Sequence, residues 1–76
     1  MKQLRYNEFL QRLKRFRHLS VEGGKGSEIK VFGKDAKGIH RMHVMGCHGR
    51  NPVFSKWKLM AFLSKFGINA NDFFKS

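Results

Sequence analysis

Apolar residues recur at helical spacing near both ends of the chain. Near the start, Asn7 can cap a helix that runs to about Phe16. The apolar residues of this helix fall on one face: Phe9, Leu10, Leu13 and Phe16.

Near the end of the chain, Ser55 can cap a second helix and Gly67 can stop it. The face of that helix that we expect to be buried carries Leu59, Met60, Phe62, Leu63 and Phe66. Asn69 can then cap a short final turn, so the pattern predicts helical structure at both ends.

Between residues 17 and 45 the period of the pattern changes to two, which is typical of β-strands. Glycine-rich turns at residues 23–26 and 33–38 divide this segment, since glycine tolerates the positive φ that tight turns need. The alternation predicts strands at residues 18–22, 28–32 and 39–45. Strands joined by turns this short pair antiparallel.

The register of the second hairpin follows if Gly33 lies opposite Gly38. Glu28 then meets His43, and one face of the sheet carries Glu28, Lys30, Arg41 and His43. The opposite face joins the core through Ile29, Val31, Met42 and Val44. The first hairpin keeps the same core face if Val21 lies opposite Ile29. We therefore predict that the charged face is exposed to water.

The order helix, three strands, helix predicts one two-layer α+β domain over residues 1–76. Its three-stranded antiparallel sheet is expected to carry both helices on its apolar face. Eight phenylalanines, Trp57 and four methionines supply the apolar side chains for a core.

Charge points to the class of partner. Sixteen Lys and Arg residues stand against five Asp and Glu residues, which gives a formal net charge of +11. A net charge of about 2 to 8 is enough to keep a small domain soluble. The excess positive charge destabilises the compact state through self-repulsion. Because the charge has this cost, we expect it to have a use, which is binding to a polyanion. We expect nucleic acid, and RNA in particular, before the surface of an anionic membrane.

Cysteine usage and hydropathy indicate the compartment. Cys47 is the only cysteine, which fits a reducing environment better than a secreted one. The longest uninterrupted apolar run, residues 59–63, is far too short to span a bilayer, and no signal-peptide core is found. We expect a cytoplasmic protein.

Several segments resemble the HicA toxin family. Gly24-Lys25-Gly26-Ser27 resembles the start of that family's second strand, and residues 43–49 resemble its third strand with the following His-rich loop. Residues 59–68 resemble its closing helix, and residues 71–74 fall where the family has an acidic tail followed by apolar residues. The α-β-β-β-α order on a basic chain also matches the double-stranded-RNA-binding type of fold.

The resemblance implies a metal-independent ribonuclease that acts on mRNA and is neutralised by a HicB-type antitoxin covering its active face. One residue departs from the family's pattern: its catalytic histidine follows the serine, and this chain has Glu28 there. The residue match stops at Gly26 and Ser27. A basic RNA-binding module of the same fold without cleavage activity is the alternative.

Glu28 and His43 are the first candidates for catalysis. RNA cleavage without metal needs a base for the 2′-hydroxyl, an acid for the leaving oxygen and cations for the phosphate. In the predicted register the carboxylate and the imidazole could divide the first two roles, with Lys30 and Arg41 holding the phosphate. An ordinary cross-strand pair that stabilises the sheet is the alternative. His48, in a glycine-flanked loop, is a second candidate acid or base.

Two loops are candidates for binding phosphate. Lys25 in the first turn and Arg50 next to Gly49 combine backbone N–H groups with positive charge, and the family match adds Ser27. Tight turns also use glycine for steric reasons alone. Phe32 and Ile39 are expected on the wet face, where they could stack a base or contact a protein.

Zinc binding is not expected, although the ligand types are present: His40, His43, Cys47 and His48. Histidines three apart on a strand point to opposite faces, and there is no second cysteine. We expect no cofactor. Trp57 lies opposite the buried face of its helix, where it could anchor a partner or pack under residues 52–54.

Overall fold

The computed structural model of the chain describes residues 3–23, 28–47 and 52–75. In chain order the elements are β1 (Leu4–Arg5), α1 (Tyr6–Leu13), β2 (Leu19–Gly23), β3 (Glu28–Lys34), β4 (His40–Gly46), β5 (Val53–Phe54), α2 (Lys56–Phe66) and α3 (Ala70–Phe74). The predicted order of helix, three strands and helix is confirmed, and the protein is an α+β domain.

Strands β2, β3 and β4 form an antiparallel sheet with β3 in the centre. A second, two-stranded sheet pairs β1 with β5 and places Leu4 opposite Phe54. Strands of two residues leave no period in a sequence, so the pattern does not predict this second sheet. It holds the segment before α1 against the segment before α2.

Helix α1 begins one residue before the predicted cap, so the prediction that Asn7 caps it is wrong. Pairing of β1 with β5 keeps the backbone extended as far as Arg5, and the helix starts at the next residue. The backbone N–H of Arg5 donates to Glu8 Oε1 at 3.1 Å. The helix also ends earlier than predicted, at Leu13. Beyond it, the N–H of Phe16 bonds to the carbonyl only three residues back, at 2.9 Å.

The predicted caps of α2 and α3 are confirmed. Ser55 Oγ accepts the N–H of Lys58 at 3.3 Å, and Gly67 ends α2 with a left-handed φ of 65°. Asn69 Oδ1 accepts the N–H of Asn71 at 2.8 Å. None of the helices formed by the described residues is long and apolar enough to cross a bilayer.

The register of β3 against β4 differs from the predicted one by three residues. Ile29 lies opposite Met45, where the prediction has Met42. An odd shift moves every side chain of one strand to the other face. Met42 and Val44 are therefore 54% and 40% exposed, whereas Met45 is buried. The prediction that Met42 and Val44 belong to the core is wrong.

Asp35 is the physical reason for this shift. Its backbone N–H donates to the Ile39 carbonyl at 2.9 Å, and the N–H of Gly38 donates to its carbonyl at 3.0 Å. Its side-chain Oδ1 accepts the N–H groups of Lys37 and Ile39, both at 2.9 Å. Aspartate at the first position and glycine at the fourth favour this kind of turn. The turn therefore begins after Lys34, not at Gly33.

Gly33 serves a different purpose from the predicted one. It lies within β3, and a Cβ atom at this position would clash with the carbonyl oxygen of His18. Glycine is thus needed here because β2 begins close to the β3 backbone.

The register of β2 against β3 differs from the predicted one by two residues. Val21 lies opposite Val31, where the prediction has Ile29. An even shift leaves the faces unchanged, so the predicted inward face of β2 is confirmed. Glu22 lies opposite Lys30, which places opposite charges across the two strands.

The core lies between one face of the sheet and the helices. Its buried members are Leu4, Phe9, Leu13, Leu19, Ile29, Val31, Met45, Phe54, Leu59, Phe62, Leu63, Phe66 and Phe73. The ring of Phe62 contacts those of Phe9, Phe66 and Phe73 at centroid distances of 5.2, 5.4 and 5.7 Å. Met60, predicted to be buried, is 42% exposed.

Candidate functional site

The sheet of β2, β3 and β4 has an inner face, which packs on the helices, and an outer face. By register, the outer face carries Ser20, Glu22, Glu28, Lys30, Phe32, Lys34, His40, Met42 and Val44. The predictions that Glu28, Lys30 and Phe32 lie on the water-exposed side of the sheet are confirmed.

Glu28 and His43 are not brought together. Glu28 lies on the outer face opposite Gly46, at one end of β3. His43 lies opposite Val31 on the inner face, two residues from the buried Met45. The predicted base–acid pair is therefore wrong, because the three-residue shift places its members on opposite faces.

His43 occupies an environment that disfavours its charged form. Its ring lies 6.3 Å from that of Phe62, between the sheet and α2. Burial lowers the pKa of His43, and the positive charge of Lys65 lowers it further. The neutral form of this half-buried imidazole is therefore favoured, and its ring contact with Phe62 helps to pack α2 on β4.

Arg41 supports the turn between β3 and β4. It lies opposite Gly33, on the other side of the sheet from Lys30, and its Nε donates to Asp35 Oδ2 at 3.0 Å. The pKa of Asp35 is lowered by the hydrogen bond from the Ile39 N–H and by that from Arg41. The prediction that Lys30 and Arg41 share a face and hold one phosphate is therefore wrong.

The remaining predicted site residues lie outside the described residues: Lys25, Ser27, His48 and Arg50. The strand residues before and after these two segments are described. Gly23 lies opposite Ile29, and Glu28 lies opposite Gly46. The chain therefore leaves the sheet toward both segments from the same end, where the carboxylate of Glu28 is exposed.

Cys47 is poorly suited to act as a nucleophile. Burial raises the pKa of its thiol, and the charge of Lys58 only partly opposes this effect. Among residues 3–23, 28–47 and 52–75, no group of three or more His, Cys, Asp or Glu side chains is arranged to hold a metal ion.

An exposed apolar patch on the outer face is the feature that the sequence analysis missed most clearly. It consists of Phe32, Met42 directly opposite, and the neighbouring Val44. Lys30 lies between Val44 and Glu22 across the sheet, Glu28 lies beyond the patch at one end of the face, and Lys34 with His40 lies at the other. The Asp35-to-Gly38 spacing carried the signal that would have placed this patch correctly.

A second exposed surface lies at the start of α2. Trp57 is 70% exposed, in agreement with its predicted place opposite the buried face. Lys56 Nζ lies 5.0 Å from the centroid of its ring. Met60, one turn further along, is also exposed, and α2 contains no acidic residue.

Some basic residues are already engaged within the fold. Arg12 Nη1 donates to the carbonyl oxygen of Phe74 at 2.9 Å. Arg15 Nη2 donates to those of Asp72 and Phe73, both at 2.9 Å. These two arginines hold α3 against the end of α1, so their guanidinium donors are partly occupied within the fold.

Comparison of the chain with family models, with curated proteins and with solved structures gave no match.

Proposed function

We propose that this protein binds RNA through its excess of positive charge. The observation that carries the proposal is that most of this charge is not neutralised by carboxylates. Within the described part of the chain, Asp35 and Arg41 form the only ion pair between a basic side chain and a carboxylate. Unpaired basic side chains attract a polyanion and release its counterions on contact.

Exposed basic residues outside that pair are spread along the chain: Lys14, Lys34, Lys37, Lys58 and Lys65. Lys30 on the outer face adds a cation beside Phe32. Lys25, Ser27 and Arg50 remain predicted contacts to phosphate. A cytoplasmic location accords with this proposal, because RNA is abundant there and the free Cys47 fits a reducing compartment.

The test is RNA binding as a function of salt, measured by fluorescence anisotropy of a labelled RNA. The logarithm of the affinity should fall linearly with the logarithm of salt concentration, by about 0.7 to 0.9 for each phosphate neutralised. Lys30→Ala should weaken binding about equally for all RNA sequences, since phosphate contacts position the nucleic acid without reading its bases. An affinity that stays constant between about 50 and 200 mM salt would contradict the proposal.

A HicA-type ribonuclease, acting on mRNA and neutralised by a HicB-type antitoxin, is the second candidate. One observation favours it. The chain leaves the sheet for residues 24–27, which carry part of the resemblance, and for residues 48–51, which include His48, from the same end, and Glu28 lies there. Glu28 and His48 are the residues that we propose for acid–base chemistry in this case.

The ribonuclease candidate is tested by growth arrest on expression and by RNA cleavage in the presence of chelator. Glu28→Gln and His48→Ala should each abolish both effects while leaving RNA affinity nearly intact. His40→Ala, a change of an exposed histidine elsewhere on the sheet, is the matched control and should leave both unchanged. If the unmodified protein binds RNA but does not cleave it, the result would contradict the ribonuclease candidate and support a non-catalytic RNA-binding module.

A further inference from the structure

Trp57 lies outside the hydrophobic core. It is the most exposed large apolar side chain of the described residues, with 70% of its surface open to solvent. It is the second residue of α2, and the helix packs on the core through Leu59, Phe62, Leu63 and Phe66. An exposed indole of this size adds apolar surface that water must cover, without adding to the core.

The charged residues of the helix that carries Trp57 are all basic. Lys56 places Nζ 5.0 Å from the ring centroid, and Lys58 and Lys65 are exposed on the same helix. No acidic residue occurs between the start and the end of α2. A lysine over an indole at an exposed site is a weak contact that a ligand can displace.

The charge pattern separates this surface from the other exposed apolar surface. The outer-face patch of Phe32, Met42 and Val44 is bordered by the carboxylates of Glu22 and Glu28 as well as by lysines. Carboxylates near a polyanion are repulsive, whereas lysines alone attract it. The Trp57 surface is therefore the one whose charge fits a nucleic acid.

We propose that Trp57 stacks on an unpaired base of single-stranded RNA, with Lys56 and Lys58 contacting the adjacent phosphates. This inference rests on the proposed RNA binding and names the substrate class and the site. Single strands are the form that fits, because their bases can be turned out to stack on aromatic side chains, whereas the bases of a duplex are already stacked on one another.

The fluorescence of Trp57 reports this contact directly, since the chain has one tryptophan. Titration with an oligouridylate of about 12 nucleotides, a length within the range that small single-strand-binding folds cover, should quench it to a saturating level. A duplex of the same length should quench it much less. Inorganic polyphosphate, which can displace Lys56 but has no bases to stack, is the control and should leave most of the emission unchanged.

Substitutions of Trp57 test the contribution of its ring to RNA affinity separately from that of the neighbouring lysine charges. Trp57→Leu should weaken binding of the labelled oligouridylate by about 5- to 150-fold, the range that base–aromatic stacking supplies. Trp57→Phe should recover part of this loss. Phe32→Leu, which removes an exposed ring from the outer face, is the comparison and should weaken binding by less than Trp57→Leu does. Because Trp57 is exposed, both Trp57 variants should keep the thermal stability of the parent.

Each contrary result has a distinct meaning. Salt-dependent RNA binding that is unaffected by Trp57→Leu and leaves the emission unchanged would overturn the base-stacking site while leaving the proposed RNA binding in place. Failure of the unmodified protein to bind any RNA would overturn both. A blue shift on vesicles containing phosphatidylserine, with no response to RNA, would overturn the inference and assign the surface to membranes.

Discussion

The guanidinium of Arg15 donates to the backbone carbonyl oxygen of Phe73 at 2.9 Å, and the same nitrogen reaches the carbonyl of Asp72. Helix α3 has only five residues, too few to be stable in isolation. Its last carbonyls have no partner within the helix, and Arg12 and Arg15 supply donors for them. Phe73 is thereby held with no exposed surface in the core.

Removing this contact should loosen the end of the chain. Arg15→Ala should lower the free energy of unfolding by about 1 kcal/mol, the net worth of a typical hydrogen bond that is partly open to solvent. It should also speed hydrogen exchange at residues 70–74. Lys14→Ala removes the same charge from the adjacent exposed position, just after α1, and is the control. Equal effects of the two substitutions would contradict a role for Arg15 in holding α3.

Gly67 and Ala36 form a second contact that can be tested quantitatively. Gly67 has a φ of 65°, and a Cβ atom there would lie 2.8 Å from the Cβ of Ala36. Gly38 also has a positive φ, of 81°, but open space around it. Gly38→Ala should cost about 1–2 kcal/mol from backbone strain alone. Gly67→Ala should cost more, because a steric clash adds to the strain.

The clash is isolated by a double-mutant cycle. Ala36→Gly removes the atom that Gly67→Ala would meet, so the double variant should be more stable than the sum of the two single effects implies. Urea denaturation of the four proteins measures this difference. Additivity within about 0.5 kcal/mol would show that the two positions do not interact in this way.

The sequence predicted the features that depend on local chemistry. Ser55 and Asn69 each accept a nearby backbone N–H, and Gly67 adopts a left-handed conformation that few other residues tolerate. Such signals are contained within a few consecutive residues. The apolar faces of the helices and the exposure of Trp57 follow from spacing in the same way.

The alternation of apolar and polar residues alone does not predict the faces of β4, because they depend on where one turn begins. Both Gly33 and Asp35 are residues that favour turns, and the two choices differ by an odd register shift. In the structure the turn begins at Asp35, because its carboxylate accepts hydrogen bonds from two backbone N–H groups and from Arg41. Placing His43 on the exposed face followed from the wrong choice, and so did the base–acid pair with Glu28.

The register makes opposite predictions for two methionines of β4. Met45 is buried opposite Ile29, so Met45→Ala should lower the free energy of unfolding by about 2–5 kcal/mol. Met42 is exposed opposite Phe32, so Met42→Ala should change it by no more than about 0.5 kcal/mol. Thermal or urea denaturation distinguishes the two. A larger loss for Met42→Ala would support the alternative register.

His43 should make the stability of the fold depend on pH. Burial lowers its pKa below the ordinary 6.5, and the nearby charge of Lys65 acts in the same direction. In the unfolded chain the imidazole titrates at its ordinary value. Between these two pKa values the unfolded state binds more protons, so stability rises with pH through this interval. The lowered pKa of Asp35 affects the stability of the fold only at lower pH, because its contribution to stability is lost only below the ordinary pKa of 3.8.

The free energy of unfolding should therefore decrease as the pH is lowered from about 7 through the ordinary histidine pKa of about 6.5. His43→Gln removes the titrating group and should flatten this part of the curve, whatever it does to the absolute stability through altered packing beside Phe62. His40→Gln, at an exposed position on the outer face, is the matched control and should leave the slope close to that of the parent. Urea denaturation at a series of pH values measures the slope. The same slope in parent and His43→Gln proteins would show that His43 is not held neutral between β4 and α2.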